Sequence, residues 1–190
     1  MNPAINSNRP IEAEILARTR DVLDFPTPGV VFKDLAPVWA DVHLRNKALS
    51  VMTNWVRQQG SLPTAIAGIE SRGFLFGMAL ACALDVPFIA LRKAGKLPGP
   101  VHRIEYDLEY GSAALECQRN AFNSNDRILI HDDVLATGGT ANAAGSLVER
   151  SGAEVWGFSF VLELTFLNGA KQLKPGFGQA LRQSLASIEA

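Results

Sequence analysis

Ile128-Leu-Ile-His-Asp-Asp-Val-Leu-Ala-Thr-Gly-Gly-Thr140 is the stretch from which the fold is read. The short apolar run Arg127–His131 has the make-up of a buried strand. Two acids follow, Asp132 and Asp133, and then a loop of small residues, Ala136-Thr-Gly-Gly-Thr140, that opens a helix expected over Thr140–Arg150. In open parallel sheets, ligands sit at the carboxyl ends of strands. A helix N-terminus offers unpaired N–H groups and a positive dipole end, which suit a phosphate. Gly138 and Gly139 let the backbone approach such a group closely, and Thr137 and Thr140 add hydroxyl donors. The paired acids repel phosphate; they suit ribose hydroxyls or magnesium. The segment therefore reads as a site that holds a sugar phosphate at both ends. The plainer alternative is a strand–turn–helix with Thr140 as N-cap and two exposed acids. Neither Gly-Lys-Ser/Thr nor Gly-x-Gly-x-x-Gly occurs, which excludes a Walker loop and a dinucleotide fingerprint.

Working outward, the apolar runs Thr64–Ile69, Val86–Leu91 and Val155–Leu162 alternate with helical patterns at Arg72–Leu84 and Thr140–Arg150. That alternation argues an α/β fold with a mostly parallel sheet covered on both faces. Ile11–Leu23 and Asp41–Gly60 read as helices, the second with Leu44, Ala48, Val51, Met52 and Trp55 on one face. Between them Pro26, Pro28 and Gly29 break a segment that still carries Val31 and Phe32. Tyr106–Gln118 alternates like an antiparallel hairpin turning near Gly111, and Gln179–Ala190 reads as a weak helix. The 190 residues are 47% hydrophobic and 19% charged, which excludes a disordered chain. With 18 basic and 19 acidic residues the net charge is −1, so there is no global pull toward nucleic acid or anionic membrane. The apolar run Phe74–Leu84 is too short to span a bilayer. MNPAINSNRP lacks a signal-peptide core, so the cytoplasm is expected. Cys82 and Cys117 are expected to be reduced and mostly buried. His43 and His102 have no partner at ligand spacing, and His131 replaces an aliphatic strand residue, which points to a structural role.

Asp132–Thr140 resembles the phosphoribosyl diphosphate (PRPP) motif of the type I phosphoribosyltransferase family. Within it the adenine-using branch is the finer match. Phe25-Pro-Thr-Pro-Gly-Val-Val-Phe-Lys-Asp34, Gly68-Ile-Glu-Ser-Arg-Gly-Phe-Leu-Phe-Gly77, Leu91-Arg-Lys-Ala-Gly-Lys-Leu-Pro-Gly-Pro100 and Leu108-Glu-Tyr-Gly111 are similar to that branch in order and spacing. The resemblance covers about residues 11–174. It implies one domain over residues 1–190, with a hood at about 24–36 and a flexible hairpin loop at about 92–112. The implied reaction is adenine plus PRPP giving AMP plus diphosphate, in purine salvage, by a homodimer.

The resemblance also implies residue roles. Asp132 and Asp133 would hold the ribose, and Ala136, Thr137, Gly138, Gly139 and Thr140 the 5′-phosphate. Ser71, Arg72, Gly73, Arg92 and Lys96 would hold the diphosphate, with the residue at Arg92 also able to reach a neighbouring subunit's site. Val31, Phe32 and Lys33 would line the adenine site, with Phe32 stacking on the base. Glu109 would be the acid/base group, together with Arg72 in catalysis, and Tyr110 would help to close the loop. Magnesium would arrive on PRPP, near Asp132 and Asp133, with no direct protein ligand set. Glu70 stands where the family usually has Asp, which keeps the charge. Two rivals remain: an oxopurine (guanine, hypoxanthine or xanthine) phosphoribosyltransferase, and a non-catalytic PRPP-binding regulator.

Overall fold

Residues 9–107, 112–177 and 180–189 are described by the structure, a computed structural model. The chain runs α1 (Arg9–Arg18), β1 (Arg20–Leu23), β2 (Val31–Asp34), α2 (Ala36–Ala40), α3 (Val42–Arg57), β3 (Ala65–Ile69), α4 (Gly73–Leu84), β4 (Phe88–Lys93), β5 (Val101–Asp107) and β6 (Ser112–Gln118). It continues through β7 (Arg127–Leu135), α5 (Gly139–Arg150), β8 (Glu154–Leu164), α6 (Gly169–Gln172) and β9 (Leu181–Ile188). One sheet has the order β5-β6-β4-β3-β7-β8-β9. From β4 to β9 it is parallel, and β6 and β5 add an antiparallel edge. This is the mostly parallel, helix-flanked α/β architecture expected.

All five residues of β3 are buried, as a central strand covered on both faces requires. On one face α1, α3 and α4 pack around Ile15, Met52, Leu80, Leu129 and Leu185. On the other, α5 packs Leu147 and Val148 against Ile128, Ile130, Phe158 and Phe160. Asp41 starts α3 as its N-cap, its carboxylate accepting the Leu44 N–H at 3.1 Å. The connection β3–α4–β4 moves outward on one side of β3, and β7–α5–β8 moves outward on the other side of β7. The strand order therefore reverses between β3 and β7, where ligands of such sheets bind.

Four expectations need correction. The first helix stops at Arg18, and Arg20–Leu23 instead forms a strand paired with Val31–Asp34. The register places Arg20 opposite Asp34 and Asp21 opposite Lys33, two opposite-charge pairs that a helix would not have satisfied. The tail is a strand, not a helix: β9 lies parallel to β8 and buries Leu185 and Ala186. Its Ala, Ser and Gln content has no strong strand preference, so its partner decides its conformation. β7 runs on to Leu135, because β8 supplies pairing as far as Glu163, so the two acids lie within the strand. Finally, Cys82 is exposed on α4, whereas Cys117 is buried. Among the described residues no helix is long and apolar enough to cross a membrane.

Leu185→Ala tests the tail. In a packed strand it should cost about 2–5 kcal/mol in urea unfolding. A loose terminal helix would lose well under 1 kcal/mol.

Candidate active site

The ends of β3 and β7 are adjacent, and each opens into a loop that starts a helix. After β3 come Glu70, Ser71 and Arg72 and then α4; the Glu70–Ser71 peptide is cis. After β7 come Ala136 and Thr137, then Gly138, at φ +87°, in the N-cap position of α5. Thr140 is therefore inside the helix rather than at its cap, which corrects the plainer reading of this motif. A side chain at Gly138 would also strike the Gly169 carbonyl, 2.6 Å from a Cβ built there. The phosphate-binding candidates Ala136–Thr140 thus form a bare helix N-terminus backed by the Gly169 turn. The Tyr106 hydroxyl of β5 stands 3.5 Å from the Thr140 hydroxyl, so the hairpin base overhangs this loop.

The start of α4 touches β7. A Cβ on Gly73 would lie 2.7 Å from the His131 carbonyl oxygen and 3.0 Å from Asp132 Oδ1. Gly73 is needed for this approach, a role the sequence did not reveal. Asp133 is only 2% exposed, and Arg72 Nε stands 3.0 Å from its Oδ2 in an ion contact without hydrogen-bond alignment. Asp132 keeps part of its surface open but is packed round by protein, and its Oδ1 accepts the Asp133 N–H at 2.9 Å. Burial, then the neighbouring Asp133 charge, push the Asp132 carboxyl well above the usual carboxylate range. Burial also raises Asp133, with Arg72 opposing it. Asp133 is buried, Asp132 partly so, and the two are strained by like charge, unlike the exposed pair of the plainer reading. Such a pair is poised for hydroxyl groups that can both donate and accept.

Arg72 also reaches the hood: its guanidinium carbon is 4.9 Å from the centre of the Phe32 ring. Phe25 meets Phe32 edge-on at 5.1 Å. Val31 is exposed beside them. Lys33 points elsewhere, its Nζ 2.7 Å from Asp21 Oδ1, so its side chain is spent within the hood. Arg92 is paired side-on with Glu70, at 3.1 and 3.2 Å, and donates to the Lys96 carbonyl at 3.1 Å. The Arg92 hydrogen bonds hold the Glu70 carboxyl below its ordinary range. Ser71 is exposed at the turn before α4. Glu109 and Tyr110 lie outside the described residues.

His131 lies behind this site. It is fully buried beside Gly77 and Phe76 of α4, and neither ring nitrogen has a hydrogen-bond partner among the described residues. Burial pushes its pKa down to about 3, so the ring is neutral.

Residues 43–176 match the family described as Phosphoribosyl transferase domain. An adenine phosphoribosyltransferase of Anaeromyxobacter dehalogenans (strain 2CP-C) is 51% identical over 159 residues, covering 84% of this chain and 91% of that one. The chain belongs to the adenine phosphoribosyltransferase family. Solved adenine phosphoribosyltransferases share its shape. The enzyme of Rhodothermus marinus DSM 4252 has a TM-score of 0.87 at 40% identity, covering 95% of this chain and 99% of that one. The enzyme of Saccharomyces cerevisiae, complexed with adenine and an imino-altritol bisphosphate, has a TM-score of 0.86 at 37% identity, with 93% and 99% covered. The chain is accordingly a pentosyltransferase.

Asp132→Asn separates the cost of the acid pair from its use. A carboxyl whose folded pKa is raised costs the fold more as pH rises from its ordinary 3.8 through the raised value. The variant should therefore melt higher than the wild type at pH 7, by about 2–4 °C for each kcal/mol relieved. The gain should vanish below about pH 4. PRPP affinity should fall at the same time. A lower melting temperature at pH 7 would contradict this picture of the pair.

Proposed function

We propose that the chain transfers the phosphoribosyl group of PRPP to adenine, releasing diphosphate and forming AMP. The observation that carries this reading is the start of α4 at Ser71–Gly73 lying against Asp132 and, through Arg72, Asp133, while the strand that bears these acids runs on into the second helix start at Ala136–Thr140. Two anion sites flanking a ribose-sized acidic site match a sugar with phosphate at one end and diphosphate at the other. The yeast relative was solved with adenine, and we assign the base here to the hood around Phe32. Its exposed Leu23, Phe25 and Val31 give it an apolar face suited to a purine.

In this reading the 5′-phosphate sits on the Ala136–Thr140 loop and the ribose hydroxyls on Asp132 and Asp133. Ribose arrival draws Asp133 away from Arg72, which then turns to the diphosphate with Ser71, Gly73, Arg92 and Lys96. A purine ring nitrogen displaces diphosphate at the anomeric carbon through a transition state of oxocarbenium character. The cations and loop N–H groups stabilise the charge that builds on the leaving group. Glu109 takes the proton that the attacking purine sheds, and Tyr110 helps close the loop. Lys33 contributes through its backbone, since Asp21 holds its side chain.

Among the described residues no three His, Cys, Asp or Glu side chains gather as a metal site. The donors on hand, Asp132 and Asp133, fit a magnesium ion that arrives on PRPP. Bound there, it would spread the leaving charge. We assign the whole chain to one domain, with residues of about 24–36 as the hood and about 92–112 as the closing loop. We also infer a homodimer: Leu75 and Met78 leave an exposed apolar face on α4, next to the diphosphate loop. Two free cysteines suit the cytoplasm.

Nucleotide formation from PRPP with adenine, hypoxanthine, guanine and xanthine, side by side, tests the reading. AMP from adenine alone is expected. Product from an oxopurine would keep the phosphate sites and overturn the hood assignment; saturable PRPP binding without product would make the chain a regulator. Glu109→Leu should lower kcat by roughly 10²-fold or more, the range of one general acid–base group, with PRPP affinity retained. Full activity in that variant would remove Glu109 from the mechanism.

A further inference from the structure

We propose that Glu116 is a positioning residue that pins the basic loop after β4 and thereby aims Arg92 and Lys96 at the diphosphate. The inference rests on the diphosphate role of Arg92 given above. Glu116 lies mid-strand in β6, 5% exposed, between Leu115 and Cys117 in an otherwise apolar row. A carboxylate is rarely this buried unless its partners require it. Its Oε2 accepts the Gly95 N–H at 2.9 Å, and its Oε1 is 3.8 Å from Arg103 Nη1.

The register explains why it is there. Arg103 of β5 stands opposite Glu116, and Glu116 stands opposite Arg92 of β4. Glu70, one residue beyond the Ile69–Leu91 pair, continues the row at the end of β3. Arg103, Glu116, Arg92 and Glu70 thus form a ladder of alternating charge across four strands. Opposite charges on facing positions stabilise such a row. Its two acids hold the backbone of the basic loop at both sides of Ala94. Glu70 Oε2 accepts the Lys93 N–H at 2.9 Å, and Glu116 accepts that of Gly95. Gly95 has φ +76°, the left-handed conformation that turns the chain at this point. From there Lys96 bends back to receive Arg92 on its carbonyl. Glu116 touches no candidate substrate site. It acts by holding the turn from which Arg92 and Lys96 are presented.

Titration calorimetry of diphosphate and, separately, of AMP with wild type, Glu116→Ala, Glu116→Gln and Arg92→Ala tests this. AMP needs the hood and the Ala136–Thr140 loop but not the basic loop. Glu116→Ala should weaken diphosphate binding, and raise KM for PRPP, by about tenfold, as loss of a charge-assisted hydrogen bond would. AMP affinity should be unchanged. Glu116→Gln, which keeps an oxygen for Gly95, should recover most of the loss. Arg92→Ala should also weaken diphosphate. If it does and both Glu116 variants bind diphosphate normally, Glu116 does not position the loop. If AMP binding falls in step, Glu116 only supports the fold, and the proposal fails. If Arg92→Ala leaves diphosphate binding intact, the diphosphate role of Arg92 falls, and this inference falls with it.

Discussion

No side chain fits between the start of α4 and the His131–Asp132 stretch of β7. A Cβ on Gly73 would lie 2.7 Å from a backbone oxygen of His131, which cannot move without disturbing the central sheet. This contact fixes how closely α4 approaches the strand from which the second candidate loop leaves. The parallel pairing of β3 with β7 fixes the height of the strand ends, and the glycine fixes their lateral separation. The hood, the acid pair and the basic loop are all arranged around that separation.

Charge is then balanced locally. Each cation assigned to the anion sites, where its partner is defined, rests against an acid of the same chain: Arg72 on Asp133, Arg92 on Glu70. In the proposed reading, a substrate phosphate would replace one anion with another rather than meet a bare guanidinium. The exchange keeps the resting protein free of a strong local positive field, in keeping with its net charge of −1. Arg72 is shared most widely, since it also lies against the Phe32 ring of the hood. The hood and the acid pair are joined through that one side chain.

The sheet and the two strand-to-helix loops proposed as anion sites were legible in the sequence because they rest on local signals. Four short apolar runs, small-residue loops and glycines at strand ends each carry their own physical reason. What escaped depends on pairing between distant segments. Arg20–Leu23 looks helical until Val31–Asp34 is set beside it with complementary charges. Leu181–Ile188 becomes a strand only because β8 offers it an edge. The same holds in the site. Asp132 and Asp133 could be named from their motif, but not that Arg72 occupies Asp133. Glu116 carried a signal, an acid inside an apolar strand, whose meaning required the register with Arg92 and Arg103. The motifs at Asp132–Thr140 and Glu70–Gly73 name the acids Asp133 and Glu70; which cations these acids restrain is marked by no motif.

The Glu12 carboxylate of α1 accepts both the N–H and the hydroxyl of Ser187 in β9, at 3.0 and 2.8 Å, across 175 residues of sequence. α1 therefore packs against the strand that is added to the sheet after all the others in sequence. Contacts this distant along a chain are formed late, since the loop they close must first lose its freedom. Until that closure forms, the side of α1 that β9 covers stays open to other chains. Refolding yield should depend on protein concentration more through this one closure than through any step at the active site.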